Sequence, residues 1–263
     1  MNKNIITLTT DFGTASHYTA ALKGSILSLS PDINIVDISH NISLYNFKEA
    51  AFAIKNSYSA FPEGTVHIIG INTELSIQTP PVVILQDGHY FICTDNGLFS
   101  LIFDNVPERI YEIINWEALT NRTFIAKDLF VPVAVMIAEG NDFSKLVVER
   151  DCLKNKFIAL KPTIRNDELK GTVIYVDNYE NFIVNITEEQ FKDFVGNNKF
   201  EISTISRHSR IHKISRTYSD VQCEGKLLAL FGTHGYLEIA MYKSTAASLL
   251  GISVDSTIIV RKL

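Results

Sequence analysis

The chain has 263 residues, 46% apolar and 20% charged, with a formal net charge of −5 at neutral pH. This composition fits a globular protein of one large domain or two ordinary ones, and the mixed, slightly acidic charge argues against a nucleic-acid partner. The most basic stretch, RHSRIHKISR at Arg207–Arg216, lies between strand-like runs and reads as a solvated strand or hairpin arm. Cys93, Cys152 and Cys223 stand far apart without CxxC or Cys/His spacing, so neither zinc nor a disulfide framework is expected, and reduced cytoplasmic thiols are the default. The apolar run near the N-terminus is too short for a signal peptide, and no run reaches membrane-spanning length, so no membrane partner is expected.

In chain order, Ile5–Leu8 reads as a buried strand. Tyr18–Ser30 has helical periodicity through Ala21, Leu22, Ile26 and Leu29, and Pro31-Asp32 ends it. Ile33–Ile38 is the second strand and Tyr45–Ala60 the second amphipathic helix, closed by the turn Phe61-Pro62-Glu63-Gly64. Thr65–Ile71 is the third strand. Val82–Leu85 and Tyr90–Thr94 flank Asp87-Gly88, a hairpin signal, and Asp128–Ala138 is helical with Pro132 in its first turns. The alternation predicts an α/β domain with a mainly parallel, helix-covered sheet. Beyond about residue 158 the rhythm changes to short strands: Gly171–Asp177, Phe182–Ile186, Lys199–Ile205, Leu227–Phe231, Leu237–Ala240 and Ser256–Arg261. With only Thr187–Val195 and Thr245–Leu250 helical, this half predicts a small β-barrel or sandwich. The boundary falls near Leu160–Asp167, giving domains 1–160 and 168–263.

One short stretch bears on function. In TLTTDFGTASHY the first strand runs directly into Asp11. Asp and Gly suit a turn or a helix N-cap, but ligands also bind beyond the carboxyl ends of strands in open α/β sheets. His40 and His67 read as satisfied structural histidines.

Seven stretches then line up in order: TTDFGTASHYTAALKG (9–24), SPDINIVDISHNI (30–42), AFPEGTVH (60–67), TDNGL (94–98), TFIAKDLFVPVA (123–134), GTVIYVDNYENFIVNIT (171–187) and GYLEIAMYKSTAASLLG (235–251). Together they resemble the SAM hydroxide adenosyltransferases, the adenosine-forming S-adenosylmethionine (SAM) hydrolases related to fluorinating and chlorinating enzymes. The resemblance implies an N-terminal α/β domain and a C-terminal β-barrel in a homotrimer, with each site shared between neighbouring subunits. It implies SAM or adenosine as the small-molecule ligand and no cofactor. Asp11 matches the aspartate that accepts both ribose hydroxyls, a task suited to a carboxylate's two oxygens. Tyr45 matches an aromatic position beside the nucleoside, and Phe124 joins the substrate-binding set. Asp177 and Asn181 fall where the methionine part is held, and Glu180 replaces that pattern's glycine. Lys243 falls on an arginine that contacts the adenine side. Read without the resemblance, Asp177 and Asn181 suit a strand-loop turn, and Tyr45 suits helix-face packing.

The catalytic pattern departs from the family. Its hydrolases activate water with Asp, Arg and His. Those positions are Asn72 (in GINTELSIQTP), Thr79, and Ile125 (in TFIAKD), none of them ionisable. Glu74 is the nearest carboxylate that could substitute. The halogenating relatives carry a tyrosine at the Asn72 position and serine or glycine at that of Ala126, so halogenation is a remote alternative. Two readings remain: a SAM hydrolase with weak or lost turnover, and a protein that only binds an adenosyl ligand.

Overall fold

The computed structural model describes residues 4–158, 160–204 and 210–263. Contacts group them into two compact units, Met1–Ala159 and Leu160–Leu263.

The first unit is built on strands β1 (Ile5–Thr10), β2 (Asn34–Ser39), β3 (Val66–Gly70), β4 (Pro81–Gln86), β5 (His89–Thr94), β6 (Arg109–Ile113) and β7 (Val147–Arg150). Its helices are α1 (His17–Leu29), α2 (Phe47–Lys55), α3 (Phe99–Ile102) and α4 (Val131–Ala138). The sheet order is β2-β1-β3-β5-β4-β6-β7. β2, β1, β3 and β5 pair in parallel, while the β5-β4, β4-β6 and β6-β7 pairs are antiparallel. The sheet is therefore mixed, where the sequence predicts a mainly parallel one. The β4/β5 hairpin turns the chain back on itself at Asp87-Gly88, both left-handed with φ 50° and 73°, so β4 runs against both β5 and β6, and β7 runs against β6.

Period-2 alternation sends successive strand residues to opposite faces. Ile68, Val83 and Ile92 pack with Leu22, Ile26 and the α4 side chains on one face. Ile69, Ile84 and Phe91 pack with Ala50, Ala51, Ile54 and Phe99 on the other. This two-sided burial explains the near-continuous apolar runs of β3 to β5. The expected helix 45–60 is shorter: Asn46 caps it by accepting the Glu49 N–H at 3.1 Å, and it ends at Lys55, before a single 3-10 turn at Tyr58–Ala60. The expected helix 128–138 begins as a π turn, Ala126–Phe130, before α4.

The second unit carries β8 (Thr163–Arg165), β9 (Glu168–Val176), β10 (Phe182–Thr187), β11 (Phe200–Thr204), β12 (Arg210–Ile211), β13 (Leu227–Phe231), β14 (Tyr236–Met241) and β15 (Thr257–Lys262), with helices α5 (Glu188–Val195) and α6 (Ala246–Leu250). The strands order as β12-β11-β15-β9-β10-β14-β13, with β8 added on β9, and all pair antiparallel. The Ser215 N–H donates to the Ala229 carbonyl at 2.7 Å, bringing the chain after β12 against β13. The sheet is thus nearly closed, and its interior is filled by Val173, Phe182, Val184, Ile258 and Val260 under Phe191 and Phe194 of α5. A capping box between Thr187 and Gln190 starts α5. Of the expected strand 199–205, residues 200–204 are observed, and Ile205 lies outside the described residues, as do residues 207–209 of the basic stretch.

Candidate functional site

From β1 the chain crosses by α1 to β2 on one side, then by α2 to β3 on the other. The carboxyl ends of β1 and β3 therefore flank a topological switch point, where open sheets hold ligands. Thr10 pairs with Gly70 across this edge. Gly70 has no side chain to spare: a Cβ there would lie 3.0 Å from the Phe12 ring and 3.0 Å from the Thr10 methyl. The Phe12 ring folds over the end of β3 and meets Phe124 edge-on at 5.7 Å, while Phe124 meets Tyr18 at 5.0 Å. Phe124 is thus brought beside the TTDFG turn.

Asp11 leaves β1 half-buried. Its Oδ2 accepts the Tyr45 N–H at 3.1 Å, and its Oδ1 has no hydrogen-bond partner among the described residues. Tyr45 has φ 59°, and its side chain is 67% exposed rather than packed on a helix face, since α2 starts two residues later. Asp11 and Tyr45 are brought together, but through the Tyr45 backbone.

Asn72 follows β3 with φ 45°, a conformation Asn tolerates. Its carbonyl accepts the Thr94 hydroxyl at 3.2 Å and the Asn96 amide at 3.1 Å. Thr79 closes the same loop; its hydroxyl lies 2.8 Å from Ser76 Oγ and donates to the Glu74 carbonyl at 3.0 Å. Glu74 is exposed. Ile125 is only 3% exposed and belongs to the α1/α4 core.

The loop bearing Asn72 and Thr79 is held by Asp95 and by two residues outside the seven stretches, Lys154 and Asn155. Asp95 is 2% exposed and accepts the Lys154 N–H at 2.6 Å and the Asn155 N–H at 3.3 Å. Burial raises the Asp95 carboxyl above its ordinary range, although these N–H groups favour its charged form. Lys154 Nζ then donates to the Ile77 carbonyl at 3.0 Å and Asn155 Nδ2 to that of Gln78 at 2.6 Å. Asp95 stands in TDNGL, but nothing local in Lys154 or Asn155 betrays a partner about 60 residues away in sequence.

In the second unit Asp177 and Asn181 meet in the β9/β10 turn. Asp177 Oδ1 accepts the N–H groups of Tyr179 (2.9 Å) and Asn181 (2.8 Å), and Oδ2 accepts Asn181 Nδ2 at 3.0 Å. Glu180 has φ 60°, the left-handed conformation that favours the glycine of the pattern. Its carboxylate accepts the Ser248 N–H at 3.0 Å and its carbonyl the Ala247 N–H at 2.9 Å, tying the turn to α6. Lys243 is exposed; its ammonium lies 3.4 Å from Glu224 and 5.4 Å from the centroid of the Tyr242 ring.

Among the described residues no group of three His, Cys, Asp or Glu could hold a metal ion, and no helix is long and apolar enough to cross a membrane. His67 is buried between Thr7 (2.6 Å) and His89 (3.2 Å), and burial, then the charge of His89, lowers its pKa to about 3.

Residues 6–147 match the SAM hydroxide adenosyltransferase N-terminal domain and residues 171–259 the corresponding C-terminal domain. The chain is 28% identical over 257 residues to the (R)-S-adenosyl-L-methionine hydrolase of Methanocaldococcus jannaschii, covering 95% of this chain and 92% of that one. It is 26% identical over 254 residues to the enzyme of the same name from Thermus thermophilus, covering 92% and 93%. A crystal structure of an uncharacterized conserved protein from Thermotoga maritima superposes with a TM-score of 0.87 at 24% identity, covering 98% of this chain and all of that one, which shows the shared fold.

Proposed function

We propose that this chain, which belongs to the SAM hydroxide adenosyltransferase family, binds SAM or adenosine and hydrolyses SAM weakly or not at all. The observation that carries the binding half is Asp11: a carboxylate at the switch point, one oxygen anchored by the Tyr45 N–H and the other unpartnered among the described residues. Two adjacent ribose hydroxyls are donors that such a group accepts well. Tyr45 and Phe124 supply aromatic surface for the nucleoside. Asp177 and Asn181 take the methionine part, Lys243 takes the adenine side, and the functional domains are 1–160 and 168–263. The reading includes a cytoplasmic homotrimer with sites shared between subunits.

The family reaction displaces methionine from the ribose 5′ carbon by water. The leaving group is a sulfonium, so it departs as a neutral thioether and needs no acid. The protein must orient a water and accept its proton. Asn72 can hold a water but cannot accept the proton. The Thr79 hydroxyl is engaged within its own loop, and Ile125 is buried in the core. Losing a positioned base costs about 10²- to 10⁴-fold in rate. Glu74, exposed on the same loop, supports the second reading, in which an altered base sustains turnover. Incubating the purified protein with SAM and separating adenosine and methionine by chromatography tests the proposal. Turnover at about 1 s⁻¹ or faster, a typical enzyme rate, sinks the weak-turnover half, and loss of that rate in Glu74→Gln assigns the base.

A further inference from the structure

The turn that carries Asp11 is held largely from the segment that follows β2. His40 follows β2 directly and is 2% exposed. Its Nδ1 lies 2.7 Å from Thr10 Oγ1 and its Nε2 3.0 Å from Asp37 Oδ1. Lys23 Nζ donates to the other Asp37 oxygen at 2.6 Å. A carboxylate only accepts, so Nε2 carries a proton, and in the neutral ring Nδ1 accepts the Thr10 hydroxyl. Burial alone would raise the Asp37 carboxyl, but the Lys23 hydrogen bond and the His40 ring outweigh it and hold it below its ordinary range. The Thr10 oxygen, with its proton committed to His40, accepts the Phe12 N–H at 3.3 Å.

The backbone of His40 works on the same turn. Its carbonyl accepts the Gly13 N–H at 2.7 Å. The loop leaving His40 then returns to donate the Tyr45 N–H to Asp11 at 3.1 Å. Residues 10, 12 and 13 are thus all tied, directly or through Thr10, to His40, and Asp11 is the residue between them. An apolar ring of similar size would fill the volume. It would also strip partners from a buried hydroxyl and a carboxylate, and the turn would relax toward other donors.

We infer that His40 is the positioning residue for the Asp11 carboxylate: through Thr10 it fixes the direction in which the unpartnered oxygen faces a vicinal diol. The inference rests on the proposed adenosyl function, with Asp11 as the ribose acceptor.

The readout is discrimination for the diol, which a purely structural histidine would not control. Adenosine and 2′,3′-dideoxyadenosine are titrated calorimetrically into the full chain. The wild type is expected to prefer adenosine by about tenfold or more, the size of one charge-assisted hydrogen bond. Thr10→Val and His40→Phe should lower that preference to about threefold or less, with dideoxyadenosine affinity unchanged within about twofold. His40→Gln, whose amide can donate to Asp37 and accept from Thr10, should restore part of it. If His40→Phe fails to fold, the near-isosteric Thr10→Val decides. A folded Thr10→Val or His40→Phe protein that keeps the wild-type preference overturns the positioning role alone. A wild type that binds both nucleosides equally, or neither, overturns the ribose role of Asp11 and this inference with it.

Discussion

Asp11 and Asp177 are both aspartates at strand ends, and the fold uses them differently. Asp177 spends both oxygens on its own turn, on two backbone N–H groups and the Asn181 amide. Asp11 spends one oxygen on Tyr45, and its turn is held instead by Thr10 and His40. An Asx turn is stabilised by the aspartate itself. A turn braced by its neighbours leaves its aspartate available. The difference teaches that the same residue type after the same kind of element has both oxygens already engaged in one unit, where a ligand ammonium must share them, and one oxygen open in the other.

The largest expected effect concerns catalysis. Asn72→Asp, Thr79→Arg and Ile125→His introduced together should raise SAM hydrolysis by about 10²-fold or more, while each alone does little because such groups act as a unit. Ile125→His also puts a polar ring into a core position that is 3% exposed, which costs about 1–3 kcal/mol of stability. A triple variant that folds and gains nothing would detach the switch-point edge from this chemistry.

Next in size is the Asp11 contrast itself. Ligand at a hundred times its dissociation constant stabilises a protein by about 2.7 kcal/mol. Adenosine or SAM should give such a thermal shift in the wild type and none in Asp11→Ala, whose unliganded melting temperature stays close to the wild type. Equal shifts in the two proteins would break the comparison on its open side.

Asp177→Ala should do the reverse. It removes the acceptor for two backbone N–H groups, so the urea midpoint should fall by the equivalent of about 1–2 kcal/mol. Asp177→Asn, which keeps one carbonyl acceptor, should recover part of this. A variant with unchanged stability and weakened ligand binding would make Asp177 an acceptor of the Asp11 kind.

The last effect is a pH dependence in the first unit. Burial lowers the folded pKa of His67 to about 3, well under the ordinary value of 6.5. The unfolded chain takes up this proton as pH falls through 6.5, while the folded one stays neutral until about 3. Stability from this group is therefore present above pH 6.5 and is lost progressively between 6.5 and about 3. Denaturant midpoints between pH 7 and 5 should decline less steeply in His67→Asn than in the wild type. Parallel slopes would remove His67 as the source.

Much of this protein was determined by sequence alone, because the signals are local. The parallel β1-β2-β3 frame follows from apolar strands separated by amphipathic helices, and the β4/β5 hairpin from Asp87-Gly88, whose left-handed backbone few other pairs tolerate. The change to short strands near residue 160 and the half-buried carboxylate after β1 are equally local. What tertiary structure alone decided is which strand ends meet. The half-polar strands β6 (RIYEI) and β7 (VVER) carry no clear alternation, and the sheet recruits them on the antiparallel side. It also places β5, not β4, beside β3, so that Thr94 and Asn96 come to hold Asn72. The distribution of hydrogen bonds that separates Asp11 from Asp177 depends on such long-range neighbours: the Tyr45 N–H is 34 residues from Asp11 and His40 is 30 from Thr10. Local sequence sets the backbone's turning points; only packing of distant segments sets which polar groups are already satisfied when a ligand arrives.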